Sequence, residues 1–439
     1  MTFVQDAKSD VKIDDLKNPE APPIVKTINI QRDINLIKPW LDSGDSFILV
    51  GPEGSGKNLM IRNLIKQMKS TQMAVIHCNS QTSAFHVIQK LNQMCSQSTI
   101  SQGRVYRPKD SQRLIVYLKD INLPKPDKYD TIQLIAFLQQ IVCYKGFYDE
   151  NLEFVYLERV QIVASMNPST TIGRHKISSR FTANVRIAYI EYPTSEELLP
   201  VYAEFMKTIF SHPSFGGQLA NSSKKLSQFL IELFSNVKQN FSVDEHRHYL
   251  FTPRDITQLI FSLLRYDIRD AGSLVEVMVY EASRIFKDRL IDKQSKAKFD
   301  SILYQLLRNH LKYNEKVVDT FFISKVASHG ERIIPNLPPL GKITKPDFIT
   351  LIEQGLRAYE REFKEMNIHL FDDILELIAF TERTLSKPGG CLLMAGRSGV
   401  GRKTTTQLIA HMLNMSFFSP NLNRDYGMKE FKRDLKVVL

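Results

Sequence analysis

One octapeptide, Gly51-Pro52-Glu53-Gly54-Ser55-Gly56-Lys57-Asn58, constrains the fold of this chain more than any other part of its sequence. It follows the short apolar run at residues 47–50 and precedes a stretch of helical character that starts at Leu59. Glycines at this spacing let backbone N–H groups turn inward around phosphate oxygens, and the lysine reaches the outer phosphates. The octapeptide therefore predicts a P-loop between a strand and a helix, and hence a nucleoside-triphosphate site.

The last position of this loop departs from the usual pattern. Asn58 stands where a serine or threonine hydroxyl would be a ligand of Mg²⁺. A carboxamide is a poorer ligand for such a hard cation. The sequence thus predicts binding of ATP or ADP and leaves the presence of Mg²⁺ open.

The composition excludes several classes of protein. With 439 residues and 43% hydrophobic content, the chain is long enough for two or three domains. Its four cysteines lack paired spacing, which disfavours a disulfide scaffold or a zinc site and fits a reducing compartment. No apolar run suggests a secretory signal or membrane insertion. The net charge of +11 is spread along the chain, which favours an ordinary solvated surface over nucleic-acid binding.

The pattern of apolar residues predicts an α/β domain followed by helices. Five short β-branched runs are separated by segments long enough for helices, as expected for a parallel five-stranded sheet, and they lie at residues 47–50, 74–77, 114–118, 160–165 and 185–190. Helical periodicity then predicts an α-helical lid. We predict the following division: a connector at 1–30, a nucleotide-binding domain at 31–195, the lid at 196–313, a proline-rich linker at 314–347, and the start of a second such domain at 348–439.

A second glycine-rich loop opens this last segment. The apolar run 391–395, which predicts a strand, leads into Gly396-Arg397-Ser398-Gly399-Val400-Gly401-Arg402-Lys403-Thr404. Arg402 follows the final glycine, and Lys403 takes the hydroxyl position unless the register slips by one. The alternatives are a degenerate P-loop and a purely structural loop, and the candidate phosphate-binding residues are Gly396, Gly399, Gly401, Arg402, Lys403 and Thr404. Because the chain stops at Leu439, before the rest of such a domain, we expect it to be a segment of a tandem array.

Hydrolysis requires acids at the end of a second strand, and here they are incomplete. A carboxylate normally holds Mg²⁺ and a neighbouring glutamate polarises water. If Asp120 holds the metal, Ile121 stands in the place of the base; if Asp120 is the base, Lys119 stands in the place of the metal ligand. Either register favours binding with weak or no hydrolysis. A simple turn acid remains the alternative role for Asp120.

Three further polar residues are candidates for contacts with phosphate. Asn167 ends the run 160–165 at the edge of the sheet where ligands bind in open α/β folds, although an asparagine before proline also favours a turn. Arg180 precedes the last run and could serve the nucleotide of a neighbouring module. Arg254 opens a lid helix and could close onto the chain's own nucleotide.

With these residues in this order, the chain resembles an AAA+ module of a dynein heavy chain over nearly its whole length. Besides the P-loop, the resemblance is carried by Asp120-Ile121-Asn122-Leu123-Pro124-Lys125, Gly146-Phe147-Tyr148-Asp149 and His248-Tyr249-Leu250-Phe251-Thr252-Pro253-Arg254-Asp255. Within the family it is most similar to the class-two cytoplasmic heavy chains of intraflagellar transport, at the third AAA+ module and the start of the fourth. The supporting runs are 103–110, 117–124 and 395–402.

The resemblance implies roles for individual residues. It aligns Lys119 with the metal-binding aspartate and Asp120 with the catalytic glutamate of a degenerate Walker B motif. It makes Asn167 the sensor 1 residue, Arg180 a possible arginine finger and Arg254 the sensor 2 residue.

The resemblance also implies a cellular role: a regulatory nucleotide site in the ring of a microtubule-based motor. Expected partners are neighbouring AAA+ modules, dynein light and intermediate chains, and microtubules, with a location in the cytoplasm, cytoskeleton and cilium or flagellum. A working ATPase module is the alternative within enzymes. A midasin-like remodelling machine is the alternative outside dyneins, and the Gly-Phe-Tyr-Asp insert disfavours it.

Overall fold

The computed structural model describes residues 11–16, 22–100, 103–149, 151–213, 215–313, 320–326, 334 and 337–438. It divides into two compact units. The first takes in residues 1–208, 226–234 and 250–257, and the second takes in 209–225, 235–249 and 258–439. Residues 1–10 and 17–21 of the predicted connector, and residues 314–319, 327–333 and 335–336 of the predicted linker, lie outside the described residues.

Nine of the described strands lie in the first unit and two lie in the second. The strands are β1 (Phe47–Val50), β2 (Thr71–His77), β3 (Cys95–Ile100), β4 (Gly103–Pro108), β5 (Arg113–Lys119), β6 (Gly146–Tyr148), β7 (Phe154–Leu157), β8 (Val160–Met166), β9 (Arg186–Tyr189), β10 (Thr320–Ile323) and β11 (Gly341–Thr344). The helices are α1 (Ile13–Leu16), α2 (Ile28–Ser43), α3 (Lys57–Gln67), α4 (Ala84–Met94), α5 (Gln133–Tyr144), α6 (Ser179–Thr182), α7 (Ser195–Phe210), α8 (Ser223–Asn240), α9 (Pro253–Ser262), α10 (Ala271–Ile285), α11 (Lys293–Leu311), α12 (Lys345–Glu362), α13 (Asp372–Leu385), α14 (Arg402–Met412) and α15 (Met428–Val438). None of the described helices is long and apolar enough to cross a lipid bilayer.

The central sheet has five parallel strands in the order β2-β5-β8-β1-β9. All five correspond to the predicted apolar runs, so the predicted α/β class and parallel five-stranded sheet are confirmed. Because every strand runs in the same direction, the carboxyl ends of β1, β5 and β8 meet at one edge. The sheet therefore brings the P-loop, the residues after β5 and the residues after β8 together.

Alternating side chains of the sheet pack against helices on both of its faces. In β5, Leu114, Val116 and Leu118 belong to the core that includes residues of α4 and α5. Ile115 and Tyr117 belong to the opposite core, which includes residues of α2 and α3. A parallel strand buried on both faces reads as a continuous apolar run, which explains why the sequence shows no alternation here.

A second, mixed sheet in the first unit has the order β3-β4-β7-β6 and was not predicted. The pairs β3–β4 and β6–β7 are antiparallel, whereas β4 and β7 run parallel. Gly146-Phe147-Tyr148, part of the resemblance to dyneins, forms β6, and Phe147 is buried in the core against Tyr106 and Phe137. Strands this short carry little sequence signal, because packing rather than propensity decides them.

The predicted α-helical lid is confirmed as helices α7 to α11. Its periodic apolar residues are buried, including Phe229, Leu233, Leu259 and Ile260. Their spacing of three and four residues places them on one face of each helix, where burial of apolar area stabilises the packing.

The second unit contains an antiparallel pair, β10 and β11, that packs with helices α12, α13 and α14 around one apolar core. A buried ion pair also holds this unit together. Glu281 on α10 is fully buried and accepts hydrogen bonds from Arg383 on α13, from Tyr266 and, at 2.6 Å, from Ser262. These donors compensate a carboxylate that would otherwise be costly to bury.

The predicted strand at residues 391–395 is wrong. The segment has no strand conformation, and the side chain of Leu393 is 95% exposed. A strand requires a neighbour that satisfies its backbone N–H and C=O groups, and none of the described strands pairs with this segment. The glycine loop does form, and it leads into helix α14.

Candidate nucleotide-binding site

The first P-loop connects β1 to α3 as predicted. Gly54 and Gly56 adopt positive φ angles of 83° and 85°, which side chains with a Cβ rarely adopt. Gly56 is the N-cap residue of α3, and its backbone carbonyl accepts the amide of Met60 at 3.0 Å. The loop therefore ends at the N-terminus of an 11-residue helix, where unpaired N–H groups and the helix dipole favour anions.

Lys57 lies across this loop. Its Nζ donates to the carbonyl oxygens of Gly51 and Pro52, both at 2.7 Å, and to Oδ1 of Asn167 at 3.2 Å. The ammonium group thus bridges the P-loop and the end of β8. These neutral acceptors are groups that a more strongly charged phosphate oxygen would replace.

Burial lowers the pKa of Lys57 from its ordinary value near 10.5 to about 8. The carboxylates of Asp120 and Glu53 oppose this shift, and the Arg174 guanidinium adds to it. A partly desolvated lysine near its pKa gains protonation when an anion arrives, because the added negative charge favours the charged form.

Asn167 connects the P-loop lysine with a P-loop carboxylate. Its side chain is 4% exposed, and its Nδ2 donates to Oε1 of Glu53 at 2.9 Å. Nδ2 of Asn122 donates to the backbone carbonyl of Asn167 at 2.9 Å and fixes its position. The sequence had suggested either a phosphate contact or a turn, and the structure brings Asn167 to the P-loop.

The end of β5 carries Lys119 and Asp120. Lys119 pairs in register with Ser165 of β8, and Asp120 follows with a φ of 56° in the left-handed region. The Asp120 carboxylate, 41% exposed, forms an ion pair with Nη2 of Arg174 at 3.2 Å. The end of β5 therefore carries the positive charge of Lys119, and the carboxylate of Asp120 is already paired with Arg174.

Arg174 was missed by the sequence analysis. It lies in the loop between β8 and α6, its side chain is 11% exposed, and its Nη2 lies 3.8 Å from Oε1 of Glu53. No sequence pattern at this position, seven residues beyond Asn167, predicts a role at the site. Arg174 reaches the P-loop only because the loop after β8 folds back toward it. Gly173, which adopts a φ of 78°, marks a turn there and was the one available hint.

The start of the lid helix α9 lies against the P-loop. A Cβ added to Gly54 would meet Cδ of Pro253 at 3.0 Å and Cβ of Thr252 at 3.1 Å. Arg254 is the next residue, and its side chain is exposed, as is that of Arg180 at α6. Within the described part of the chain, neither arginine forms an ion pair with the cluster around Lys57, so their assigned roles stay predictions.

The second loop repeats the backbone of the first. Gly399 and Gly401 have φ angles of 86° and 79°, and Gly401 is the N-cap of α14, as Gly56 is of α3. This sets Arg402 in the position of Lys57. Nη2 of Arg402 donates to the carbonyl of Arg397 at 3.2 Å, which matches the bond from Lys57 to Pro52. Lys403 and Thr404 lie in the first turn of α14, and their roles toward phosphate stay predictions.

The residues of the first loop fit a nucleotide better than they fit Mg²⁺. Two side-chain atoms, Oδ1 of Asn58 and Nη1 of Arg174, are buried without a hydrogen-bond partner among the described residues. One is an acceptor that suits a cation and the other a donor that suits an anion. With Lys119 and Arg174 beside Asp120, however, a divalent cation would meet two positive charges at the strand end.

Comparison with known families identifies the chain. A model described as "P-loop containing dynein motor region" matches residues 14–193. A dynein heavy chain ATPase lid model matches residues 205–296, and "P-loop containing dynein motor region D4" matches residues 366–439. The chain belongs to the dynein heavy chain family. Both dynein P-loop regions imply nucleotide binding, and the match to D4 agrees with the resemblance to a third module followed by a fourth.

Several dynein heavy chains are similar over the whole segment. Cytoplasmic dynein 2 heavy chain 1 of Tripneustes gratilla is 42% identical and that of Homo sapiens 41% identical, each over 100% of the chain. The protein of the same name from Chlamydomonas reinhardtii is 39% identical over 95% of the chain. The chain spans about a tenth of the length of these dynein relatives, namely 10%, 11% and 10%.

Proposed function

We propose that the first P-loop of this dynein segment is a regulatory nucleotide site, which binds ATP or ADP and hydrolyses ATP weakly or not at all. The observation that carries this proposal is the end of β5. There Lys119 stands beside Asp120, and Asp120 is paired with Arg174 at 3.2 Å. A Walker B strand end in a working ATPase holds Mg²⁺ and activates water, and loss of either function commonly costs orders of magnitude in rate.

The chain's own residues divide the work of binding. The P-loop from Gly51 to Asn58 cradles phosphate with its backbone, and Lys57 adds a positive charge. Asn167 holds Lys57 and Glu53 in place. A bound nucleotide supplies the negative charge that Lys57 and the backbone amides of the P-loop accept. Mg²⁺, when bound, would have the Asn58 carboxamide as its nearest substitute for the usual hydroxyl.

The contact between Gly54 and the start of α9 gives the site a way to act on the lid. Because Thr252 and Pro253 lie against the loop, a phosphate that shifts the loop changes the packing of the residue pair before Arg254. We propose Arg254 as the sensor 2 residue that closes on the same nucleotide, and Arg180 as an arginine finger for a neighbouring module's site. A ligand with different affinities for two lid positions shifts their populations.

For the whole protein, we propose a microtubule-based motor of intraflagellar transport. The support is the similarity to proteins named cytoplasmic dynein 2 heavy chain 1. The proposed partners are the neighbouring AAA+ modules, light and intermediate chains, and microtubules, in the cytoplasm and cilium. The proposed module boundaries are those predicted from sequence, 31–195, 196–313 and 348–439, which resemble the extents of the three family matches.

The test is to replace Lys57 by alanine in a heavy chain that carries this segment and to measure microtubule-stimulated phosphate release. Because regulatory coupling between sites is typically worth 5-fold or more, we expect the motor's rate to change by at least about 5-fold. Lys66→Ala is the matched control, since Lys66 is an exposed lysine on the same helix α3. An unchanged rate in Lys57→Ala, with nucleotide binding at this site abolished, would rule out regulation.

A further inference from the structure

Arg174 is held at the nucleotide site by two carboxylates from different elements. Nη2 lies 3.2 Å from Oδ1 of Asp120 and 3.8 Å from Oε1 of Glu53. Asp120 follows β5, whereas Glu53 belongs to the P-loop. The guanidinium therefore connects the strand end with the loop that surrounds the phosphates.

The backbone fixes the loop that carries Arg174. The amide of Arg174 donates to the carbonyl of Thr171 at 3.2 Å, and the amide of His175 donates to the carbonyl of Asn122 at 2.9 Å. Asn122 in turn is buried and donates to the carbonyl of Asn167. These bonds connect the backbone at Arg174 to the turn after β5 and to the end of β8. The backbone position of Arg174 is therefore fixed by the fold.

The pairing of Arg174 leaves part of its hydrogen-bonding capacity unused. Nη1 is buried and has no hydrogen-bond partner among the described residues. A buried guanidinium donor without an acceptor costs free energy, and a planar guanidinium matches phosphate oxygens in a two-pronged geometry. Nη1 of Arg174 is thus available to donate to a phosphate oxygen, at a site whose other residues also favour phosphate.

Charge supports the same role. Lys57 and Arg174 balance Glu53 and Asp120, so the four side chains carry no net charge before a ligand enters. A triphosphate brings several negative charges, which most P-loop sites offset with Mg²⁺ held near the second strand. At this strand end the sequence supplies Lys119 instead of a second acid, and Arg174 is the nearby cation with a free donor atom.

We propose that Arg174 is a phosphate ligand of this site: it exchanges its contact with Asp120 for the terminal phosphate of ATP and supplies positive charge that Mg²⁺ supplies in other P-loop sites. This inference rests on the proposed function, since it assumes that the first P-loop binds nucleotide. Asp120 is then a competitor of the phosphate for the guanidinium, rather than a ligand of the metal. The site should therefore bind ATP more tightly than ADP, because only ATP has the terminal phosphate that Arg174 contacts.

The test measures equilibrium binding of fluorescent ATP and ADP analogues to the full chain, with Mg²⁺ and with EDTA. The wild-type chain should bind ATP with less than about a 3-fold change when Mg²⁺ is removed, since a protein cation takes over part of its role. Arg174→Gln should weaken ATP binding by about 10-fold or more, as expected for a lost charged hydrogen bond. ADP binding should change by less than about 2-fold, a split that general misfolding would not produce.

A second variant tests the exchange with Asp120. Asp120→Asn should strengthen ATP binding in the wild-type background, because it removes a competing anion, and should have no such effect together with Arg174→Gln. If Asp120 instead holds Mg²⁺, Asp120→Asn weakens binding of Mg-ATP, and the proposal is overturned. Arg186→Gln is the matched control, since Arg186 forms an exposed pair with Asp45 at 3.8 Å.

The outcomes separate this inference from the proposed function. ATP binding that is equal in the wild type and in Arg174→Gln overturns the role of Arg174 while leaving a nucleotide site in place. Rapid phosphate release from a site whose ATP affinity depends on Arg174 overturns the regulatory function, while it supports the role of Arg174 as a phosphate ligand. Absence of nucleotide binding by a folded wild-type chain overturns both.

Discussion

At the scale of single residues, the protonation of Lys57 sets how strongly the site attracts phosphate. Its pKa is lowered by burial to about 8, with opposing contributions from Asp120 and Glu53. In the unliganded chain the ammonium therefore loses its proton as the pH rises through 8. A bound phosphate raises the pKa again, so binding couples to proton uptake.

From this coupling we predict that nucleotide affinity falls as the pH rises, by about 10-fold between pH 7 and pH 9, because the protonated fraction of a group with a pKa of 8 falls by that factor. Titration of a fluorescent nucleotide at several pH values measures it. Lys57→Arg is the control, since arginine stays charged over this range and should bind with a flat pH profile. A flat profile in the wild type would contradict the prediction.

The sequence predicted the residues whose roles follow from local pattern, and it missed those that depend on the path of a loop. The P-loop lies where its spacing indicated, and Asn167 reaches it because β8 lies next to β1. Arg174 belongs to no motif in the sequence analysis, and only the return of its loop toward Asp120 makes it part of the site. The roles of Arg180 and Arg254 stay predictions.

At the scale of elements, the P-loop lies against the start of α9, and we propose that nucleotide and lid communicate through this contact. Gly54 leaves room for Thr252 and Pro253, whereas a Cβ at Gly56 would meet no described residue within 4 Å other than its neighbours along the chain. The two glycines share positive φ angles of 83° and 85°. They therefore separate the effect of backbone strain from the effect of crowding against the lid.

We predict that Gly54→Ala destabilises the first unit more than Gly56→Ala does. Both variants incur a strain of about 1–2 kcal/mol from the left-handed backbone, and Gly54→Ala adds about 1–3 kcal/mol of overpacking. Urea unfolding followed by fluorescence of Trp40 measures the difference, since this single tryptophan lies in α2 of the first unit. Equal midpoints for the two variants would show that the lid contact carries no energy.

Secondary-structure elements were predicted correctly where they are long or strongly patterned. They were predicted poorly where a strand forms only if a neighbouring strand pairs with it. The five parallel strands and the lid helices follow from apolar runs and helical spacing. The strand expected at residues 391–395 does not form, since no described strand satisfies its backbone. The mixed sheet of β3, β4, β6 and β7 escaped prediction because its strands of three to six residues become stable only through packing.

At the scale of the whole molecule, the chain carries two loops of the same backbone form with different chemistry. The first has Lys57, and the second has Arg402 in the same position, in segments that match the dynein motor region and its D4 region. We propose that the modules of the motor ring share this loop backbone, and that different side chains give each module a different function. Under this proposal, the first site retains the binding residues and lacks one of the two acids that hydrolysis needs.

The most direct measurement of this central claim is single-turnover phosphate release in a heavy chain that carries this segment and in which only this P-loop is intact. A typical enzyme turns over at about 1 s⁻¹ or faster, and loss of the metal ligand or base costs about 10²-fold or more. We predict that ATP binds and that phosphate release stays below about 0.01 s⁻¹. Release at about 1 s⁻¹ or faster would contradict a regulatory site and show a working ATPase.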